Sequence, residues 1–176
     1  MTAPSSAGVT PKRVLTVCLG NICRSPTAEA ALVEAASAAG LPLEVDSAGT
    51  GDWHIGHPPN SDMRAAAAAD GLELRGTAQQ VDARLLRWAD LVLVMDRSNL
   101  DDVRLLAAQE GVDTPVALFR SFDPELPERG EGKYAPDEVP DPYGGAAEGF
   151  ADVVSICRRT ARALVATWAG SGGGSA

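Results

Sequence analysis

The chain has 176 residues, of which 45% are hydrophobic and 22% are charged, a size and balance typical of one soluble globular domain. Its net charge of −9 argues against nucleic acids and anionic membrane surfaces as partners. No apolar run approaches the roughly 18 residues that span a bilayer, and the small, polar residues at the start of the chain are unlike a signal peptide.

The sequence predicts one folded domain over residues 12–169, between a disordered leader at 1–11 and a flexible glycine-rich tail at 170–176. In chain order, the predicted elements are a strand at 13–17, a helix from 26 that stops at Gly40, a strand at 43–48, a helix capped at 60 or 61 and running to 70, a short helix near 82–89, a strand at 91–95, a helix at 97–110, a strand at 116–119 and a helix at about 147–168. Strands that alternate with helices favour an α/β fold, with a central four-stranded parallel sheet and helices on both faces.

The stretch CLGNICRSP at residues 18–26 directly follows the first predicted strand. In doubly wound α/β folds, ligands bind beyond the carboxyl ends of the strands, which is where this turn lies. Gly20 and Asn21 tolerate the backbone angles of a tight turn, so its N–H groups can face inward beside the positive end of the next helix. Ser25 and Pro26 are predicted to be the N-cap and the first helical residue. The turn is therefore a predicted anion site.

Three side chains make this predicted anion site reactive. Cys18 lies at its base among N–H dipoles and near Arg24, so we expect its thiol to ionise readily. Arg24 offers a planar fork that matches phosphate oxygens, and the Ser25 hydroxyl can donate to the Cys18 sulfur. A thiolate within a phosphate-shaped cup is a nucleophile aimed at phosphorus. Such a site makes its own positive field inside an acidic protein.

A proton donor for the leaving oxygen is predicted in the long loop at 123–145, which carries five prolines and many acidic residues. Asp141 is the best candidate, because prolines on both sides restrict its backbone. We expect Asp137 and Glu138 to help keep Asp141 protonated, and Tyr143 to flank an aromatic substrate. The same carboxylate is expected to activate the water that hydrolyses the phosphocysteine.

Together these features resemble the low-molecular-weight protein tyrosine phosphatases over about residues 12–168. The resemblance rests on Cys18, Arg24 and Ser25 at their spacing and on VPDPY at 139–143. It implies that Cys18 is the nucleophile, Arg24 the phosphate clamp and Asp141 the general acid. Further matches to the family stand at Ser47-Ala48-Gly49-Thr50, Trp53-His54, Met95-Asp96 and Asn99.

The resemblance also assigns the rest of the site. The implied phosphate-binding loop consists of Leu19, Gly20, Asn21, Ile22, Cys23, Arg24 and Ser25. The implied hydrogen-bond network that shapes this loop consists of Asn21, Ser25 and Ser47. The implied apolar walls of the cleft are Leu19, Ile22, Trp53 and Tyr143. Cys23 is either a small core residue or, as the family implies, the partner of Cys18 in a reducible disulfide that protects the oxidised nucleophile.

The implied activity is hydrolysis of phosphotyrosine and other aryl phosphate monoesters through a cysteinyl phosphate, without a metal or a cofactor. The implied partners are tyrosine-phosphorylated proteins or peptides, with inorganic phosphate as product and inhibitor. We expect a monomer. The odd number of cysteines without a secretory signal indicates a reducing, cytoplasmic location.

The sequence departs from the family pattern at two places. The family often has two adjacent aromatic residues after Asp-Pro, whereas Tyr143 is followed here by Gly144-Gly145. Gly76 and Gln79 replace the His and the Arg of the family's His-x-Ala-Arg-Gln stretch. The first change thins one wall of the cleft, and the second leaves open how the layer around the loop is braced.

Three other functions compete with this one. Arsenate reduction needs further cysteines near the end of a middle helix, but residues 82–95 contain none and Cys157 is alone. Phosphoarginine hydrolysis favours a small polar residue where this chain has Ile22. An inactive phosphotyrosine-binding module is expected to lack the nucleophile or the acid, whereas Cys18 and Asp141 are both present.

Other conspicuous side chains are expected to be structural. Cys157 is predicted to pack in the core, and His54 and His57 to lie at the surface or rim without forming a metal site. The pair Arg158-Arg159 is predicted to belong to a solvated helix face. Asp96, which closes a predicted strand, is expected to brace a loop.

Overall fold

The computed structural model describes residues 9–172. The first eight residues of the predicted leader and the last four of the predicted tail lie outside this range. The described elements are β1 (Arg13–Cys18), α1 (Arg24–Ala38), β2 (Glu44–Gly49), α2 (Ser61–Ala69), α3 (Ala83–Trp88), β3 (Leu91–Val94), α4 (Arg97–Glu110), β4 (Val116–Leu118), a 3-10 turn (Phe119–Phe122) and α5 (Ala147–Ser171). The predicted α/β fold is confirmed.

The four strands form one parallel sheet in the order β2-β1-β3-β4. In this sheet β1 lies between β2 and β3, with Val17 opposite Ala48 on one side and Val94 on the other. The next strand in the chain, β2, lies on one side of β1, and β3 lies on the other side. The connections after β1 and β2 therefore run in opposite directions, which creates a crevice beyond the carboxyl end of β1. Cys18 is the last residue of β1 and stands at that crevice.

Helices cover both faces of the sheet, as predicted. Alternate side chains of the central strands point to opposite faces. Val14 and Leu93 pack in the cluster formed with α1, α2 and α5, whereas Leu15 and Val94 pack in the cluster formed with α3 and α4. Because both faces are covered, the central strands are apolar along their length, which explains the unbroken LVLV run of β3.

Two helix boundaries differ from the prediction. The helix α1 begins at Arg24 with Cys23 at the N-cap position, so Ser25 is the second helical residue and not the predicted cap. The Ser25 hydroxyl is used instead by the loop that precedes the helix. The last helix, α5, continues to Ser171, so residues 170 and 171 of the predicted tail are helical. No helix within residues 9–172 is long and apolar enough to cross a bilayer.

Two arginines of α5 tie this helix to its neighbours, so the prediction of a solvated face at Arg158-Arg159 is wrong. Arg158 binds the carboxylates of Glu34 in α1 and Asp70 after α2, at N–O distances of 2.6 and 2.8 Å. Arg159 binds Asp123 at 2.7 Å. These carboxylates come from three distant segments, which the local pattern of α5 does not reveal. Asp123 opens the long loop that leads to α5.

Candidate active site

The loop between β1 and α1 closes around the sulfur of Cys18; residues 18–25 are called the Cys18 loop below. Asn21 has a φ of 55°, in the left-handed region that asparagine tolerates, and its N–H lies 3.3 Å from the Cys18 sulfur. The end of β2 packs against the loop, where a Cβ on Gly49 would meet the Leu19 carbonyl oxygen at 2.6 Å. A glycine is therefore needed at that position for the loop to close. Cys18 is 2% exposed, at the floor of the resulting cup.

The Asn21 side chain is the centre of the hydrogen-bond network inside the loop. Its Nδ2 donates to the hydroxyls of Ser25 and Ser47, at 2.8 and 3.0 Å. Its Oδ1 accepts from the N–H of Gln79 at 3.0 Å. The Ser25 hydroxyl also lies 3.0 Å from the Cys18 sulfur and 3.3 Å from the Ala48 carbonyl, to which it donates. A thiolate at Cys18 can only accept, so in that state the Ser25 hydroxyl is the group that donates to the sulfur.

A second layer braces this network through Glu29, a residue that sequence reasoning missed. The Ser47 hydroxyl donates to the Glu29 carboxylate at 2.6 Å. Burial raises the pKa of Glu29 to about 7; the hydrogen bond from Ser47 opposes this shift, and nearby Asp46 adds to it. Glu29 lies four residues after Ser25 in α1, so the two share a helix face, and that spacing was the available signal.

The departure from the family pattern at residues 76 and 79 also has a structural account. Gln79 donates from Nε2 to the Ser47 carbonyl at 2.9 Å and from its backbone to Asn21, so its amide braces the layer around the loop. Gly76 has a φ of 83°, a conformation that favours glycine. The chain therefore holds the loop through Gln79 and Glu29, without the family's His and Arg.

Arg24 is buried beside Cys18 and is fixed from behind. Its Nη1 donates to the Asp96 carboxylate at 2.7 Å and to the Val139 carbonyl at 3.1 Å. Burial alone lowers the pKa of Arg24, but the charges of Cys18 and Asp141 and the hydrogen bond to Asp96 outweigh it, so the pKa is raised. The guanidinium thus stays charged and oriented, and Asp96 braces it as expected.

Asp141 approaches the loop from the long segment that precedes α5. Its Oδ2 lies 3.7 Å from Nη2 of Arg24, and its Oδ1 accepts from the N–H of Tyr143 at 3.2 Å. The Asp141 side chain is 29% exposed, so it is open to both solvent and the cavity. The Asp141 carboxyl and the Cys18 thiol line the same cavity.

Asp137 and Glu138, the two carboxylates expected to act on Asp141, are themselves paired with an arginine. Both carboxylates bind Arg97, at 2.9 and 2.6 Å. The hydrogen bond from Arg97 lowers the pKa of Asp137, against an opposing effect of burial. Their negative charges are therefore compensated by a cation that sequence reasoning had not connected with this loop.

The predicted catalytic residues line one cavity of about 170 Å³. The lining residues are Cys18, Leu19, Gly20, Ile22, Cys23, Arg24, Trp53, His54, Asp141 and Tyr143. Trp53 and Tyr143 are 66% and 60% exposed, so both stand at the mouth of the cavity and not in the core. The remaining predicted site residues, Asn21, Ser25 and Ser47, lie behind the cavity in the hydrogen-bond network.

His54 lies at the rim of the cavity, one of the two positions predicted for it. Its ring is one of the walls, with Cδ2 standing 3.1 Å from where a Cβ on Gly20 would lie. The ring centroid of His54 is 6.2 Å from that of Tyr143 and 5.8 Å from that of His57.

The two other cysteines differ in surroundings. Cys23 lines the cavity but is only 4% exposed, and burial, followed by the charges of Cys18 and Asp141, raises its pKa to about 12. Cys157 is fully buried in the core, as predicted, and burial raises its pKa. Within residues 9–172, no three His, Cys, Asp or Glu side chains come together in a way that could hold a metal ion.

A buried thiol, an arginine held beside it and a carboxyl that lines the same cavity, at the carboxyl end of a parallel sheet, are the features expected of a phosphatase site. Comparison with known proteins narrows this class. The sequence model of the family described as low molecular weight phosphotyrosine protein phosphatase matches residues 13–170.

Relatives and solved structures agree with this match. The chain is 38% identical over 156 residues to a low molecular weight protein-tyrosine-phosphatase of Streptomyces coelicolor, covering 88% of this chain and 92% of that protein. It is 32% identical over 157 residues to the Homo sapiens low molecular weight phosphotyrosine protein phosphatase, covering 88% and 94%. A crystal structure of a protein tyrosine phosphatase from Entamoeba histolytica superimposes with a TM-score of 0.77 at 28% identity, covering 88% and 95%. The chain belongs to the low-molecular-weight protein tyrosine phosphatase family and is an enzyme of that kind.

Proposed function

We propose that this enzyme hydrolyses phosphotyrosine in proteins or peptides through a cysteinyl phosphate on Cys18, with Asp141 as the general acid. The observation that carries the proposal is one small cavity lined by the nearly buried Cys18 thiol, by Arg24 and by the partly exposed Asp141 carboxyl. The Asn21 N–H points at the sulfur, and the Arg24 guanidinium supplies donors that match phosphoryl oxygens.

In the proposed first step, the phosphoryl oxygens accept hydrogen bonds from the N–H groups of the Cys18 loop and from the Arg24 guanidinium. The Cys18 thiolate attacks phosphorus in line with the leaving oxygen, so that a sulfur–phosphorus bond forms while the phosphorus–oxygen bond to the aryl group breaks. Asp141 gives its proton to the leaving phenolate oxygen. The Ser25 hydroxyl, 3.0 Å from the sulfur, stabilises the thiolate before the attack.

In the proposed second step, the Asp141 carboxylate takes a proton from water as that water attacks phosphorus. The sulfur–phosphorus bond breaks, inorganic phosphate forms and Cys18 returns as the thiolate. Arg24, charged and held by Asp96, stabilises the negative charge in both transition states. Because inorganic phosphate makes the same contacts as the substrate, we expect it to inhibit competitively.

The preference for an aryl phosphate is supported by the apolar walls of the cavity. Leu19, Ile22, Trp53 and Tyr143 supply these walls. Ile22 is 8% exposed at the side of the cavity, where a guanidinium substrate would need a polar partner. Past Tyr143 the chain turns at Gly144, which has a φ of 76°, so one wall is a single aromatic ring. An aromatic ring is the group that these surfaces bury best.

The competing functions lack such support. A thiol relay for arsenate reduction needs a further accessible cysteine, and Cys157 is fully buried in the core. A binding module without activity does not need Asp141 or a reactive thiol, and both line the cavity. We also propose a cytoplasmic location, because a reducing compartment maintains the three free thiols of the chain.

The proposal is tested by phosphate release from peptides that carry phosphotyrosine, phosphoserine or phosphoarginine, each with and without EDTA. We expect the phosphotyrosine peptide to be hydrolysed much faster than the other two, and no effect of EDTA. Cys18→Ser is expected to abolish turnover and to retain peptide binding, whereas Cys157→Ala, a change at a buried thiol outside the cavity, is expected to keep turnover. Phosphate release by Cys18→Ser at the native rate would overturn the proposal.

A further inference from the structure

Arg97, the first residue of α4, binds two carboxylates of the segment that carries Asp141; residues 137–143 are called the acid loop below. Nη1 and Nη2 of Arg97 donate to the two oxygens of Asp137, at 2.9 and 3.0 Å. Nη1 also donates to Oε1 of Glu138 at 2.6 Å. One guanidinium therefore holds the side chains of two consecutive residues, in the bidentate geometry that fixes orientation as well as charge.

The position of Arg97 connects the acid loop with the phosphate clamp. The preceding residue, Asp96, holds Arg24 at 2.7 Å. One residue earlier, the Met95 carbonyl accepts a hydrogen bond from the N–H of Val139 at 2.8 Å. Three consecutive residues after β3 thus fix both the clamp and the start of the acid loop. The distance between Arg24 and Asp141 depends on this short segment.

Main-chain contacts fix the acid loop only as far as Val139. The Glu138 carbonyl accepts from Arg120 at 3.0 Å, and the Val139 carbonyl accepts from Arg24 at 3.1 Å. Asp141 lies two residues beyond, and its carboxyl is 3.7 Å from the nearest Arg24 nitrogen. The direction in which the chain leaves Val139 therefore decides where the acid stands.

The prolines on either side of Asp141 make the position of its carboxyl sensitive to the direction in which the chain leaves Val139. Pro140 and Pro142 restrict the backbone on either side of Asp141, so a displacement of Val139 is carried on to Asp141 and is not absorbed in between. Arg97 holds the side chains of the two residues before Val139, and so helps to keep Val139 on its hydrogen bonds to Met95 and Arg24. Without the guanidinium, the adjacent carboxylates of Asp137 and Glu138 would also repel each other and Asp141.

We propose that Arg97 is a positioning residue for general acid catalysis: by binding Asp137 and Glu138 it holds the acid loop so that Asp141 reaches the leaving oxygen. This inference rests on the proposed role of Asp141 as the acid. Arg97 touches neither the cavity nor the Cys18 loop through these bonds, so it acts only on the steps in which Asp141 gives or takes a proton, and kcat/KM isolates the first of them. The Arg97 side chain is 41% exposed, which makes substitution compatible with folding.

The test measures kcat/KM, which reports formation of the phosphocysteine, for aryl phosphates whose leaving groups span a range of pKa values. For Arg97→Ala we expect a loss between about 3-fold and about 100-fold with poor leaving groups, the upper figure being the cost of a misplacement of about 1 Å. With good leaving groups, which need no acid, we expect no loss. Arg97→Lys restores the charge without the bidentate fork and is expected to recover part of the rate.

A matched control is Arg158→Ala, which removes another arginine that binds two carboxylates, Glu34 and Asp70, away from the acid loop. We expect this variant to keep the wild-type dependence on the leaving group. Inhibition by inorganic phosphate is expected to be unchanged in Arg97→Ala, because Arg24 and the Cys18 loop are intact. If Arg97→Ala does not fold, Arg97→Gln serves in its place.

A double-mutant cycle separates this inference from the proposed function. If Arg97 acts through Asp141, then Arg97→Ala adds no further loss in the Asp141→Ala background. An equal slowing for all leaving groups, or the same loss in both backgrounds, would overturn the positioning role while Asp141 remained the acid. An Asp141→Ala variant with the wild-type dependence on the leaving group would overturn the acid itself, and the inference with it.

Discussion

The Ser47 hydroxyl lies 2.6 Å from the Glu29 carboxylate, and this hydrogen bond ends a chain of side chains that begins at the Cys18 sulfur. From the sulfur the chain passes through Ser25 and Asn21 to Ser47. Asn21 donates to the hydroxyls of both serines, so the Ser47 hydroxyl needs an acceptor for its own proton. The Glu29 carboxylate is that acceptor. The chain thus places a titratable group behind the nucleophile.

This group predicts how stability depends on pH. Burial raises the pKa of Glu29 to about 7 from an ordinary value of 4.5, so between these values the folded protein holds a proton that the unfolded chain has released. The free energy of unfolding therefore falls as the pH rises through this window. Glu29→Gln has no carboxyl to titrate at this position. Its free energy of unfolding, relative to that of the wild type, is therefore expected to increase by up to about 3 kcal/mol as the pH rises from 4.5 to about 8.

Urea unfolding at a series of pH values measures this difference. Glu44→Gln, at an exposed glutamate of β2, is the matched control and is expected to follow the wild type at every pH. Wild-type and Glu29→Gln curves that stay parallel over the whole range would contradict the prediction.

Asp96→Asn is predicted to weaken the clamp without affecting the acid. Asp96 binds Arg24 in a pair whose side chains are 9% and 3% exposed, and removing one partner of a buried pair typically costs about 3 kcal/mol of stability or more. An asparagine can still cap α4 through the N–H of Asn99. We expect kcat/KM to fall by the same factor for every substrate, whatever the pKa of its leaving group.

Unfolding and kinetics measured together check this prediction. The control is Asp90→Asn, which changes an exposed pair with Arg13 at 3.7 Å and is expected to cost at most about 1 kcal/mol. A loss in Asp96→Asn that grows with the pKa of the leaving group would mean that Asp96 acts on the acid and not on the clamp.

Cys23 is predicted to protect the nucleophile from irreversible oxidation. Burial raises the pKa of Cys23 to about 12, so it stays a thiol and does not compete with Cys18 for substrate. Peroxide converts the Cys18 thiolate to a sulfenic acid, which condenses with the Cys23 thiol to a disulfide and releases water. A thiol reductant then restores both cysteines.

The measurement is activity recovered with dithiothreitol after mild peroxide treatment, with mass spectrometry of the Cys18–Cys23 link. We expect the wild type to recover and Cys23→Ser to remain inactive. Cys157→Ala, which removes a buried thiol outside the cavity, should recover like the wild type. Equal recovery of Cys23→Ser would reject the protective role.

Ile22 is predicted to set the preference for an aryl group. We expect Ile22→Thr to lower kcat/KM for a phosphotyrosine peptide by about tenfold relative to a phosphoarginine peptide, since one or two apolar groups in a pocket contribute about that much. Val33→Thr changes an apolar residue of α1 that is 48% exposed and outside the cavity, and it should leave the ratio unchanged. A ratio unaffected by Ile22→Thr would mean that this wall does not discriminate.

The sheet, its helices and the centre of the site could be predicted because their signals are local. The apolar run of β3 and the alternation of strands with helices indicate a parallel sheet covered on both faces. The Cys18 loop is one continuous turn, so the spacing of its glycine, asparagine and arginine along the sequence predicts how they lie around the sulfur. The N-cap was placed wrongly because a serine before a proline is typical of a cap, whereas the loop uses the Ser25 hydroxyl itself.

The bracing residues could not be predicted, because their partners come from distant parts of the chain. Ser47 is 18 residues from Glu29, Gln79 is 58 residues from Asn21, and Arg97 is 40 residues from Asp137. No local pattern connects such pairs before the sheet and the acid loop are folded. For the same reason, the acidic residues near Asp141 were interpreted without the cation that neutralises them.

The central claim is that phosphorus becomes bonded to the Cys18 sulfur during turnover, and trapping that bond tests it most directly. In Asp141→Asn, which lacks the base for the second step, a substrate with a good leaving group should accumulate the intermediate before a rapid acid quench. Digestion and mass spectrometry should then find one phosphoryl group on Cys18, and none in Cys18→Ser. A phosphoryl group on another residue, or continued turnover with Cys18 unmodified throughout, would contradict the account.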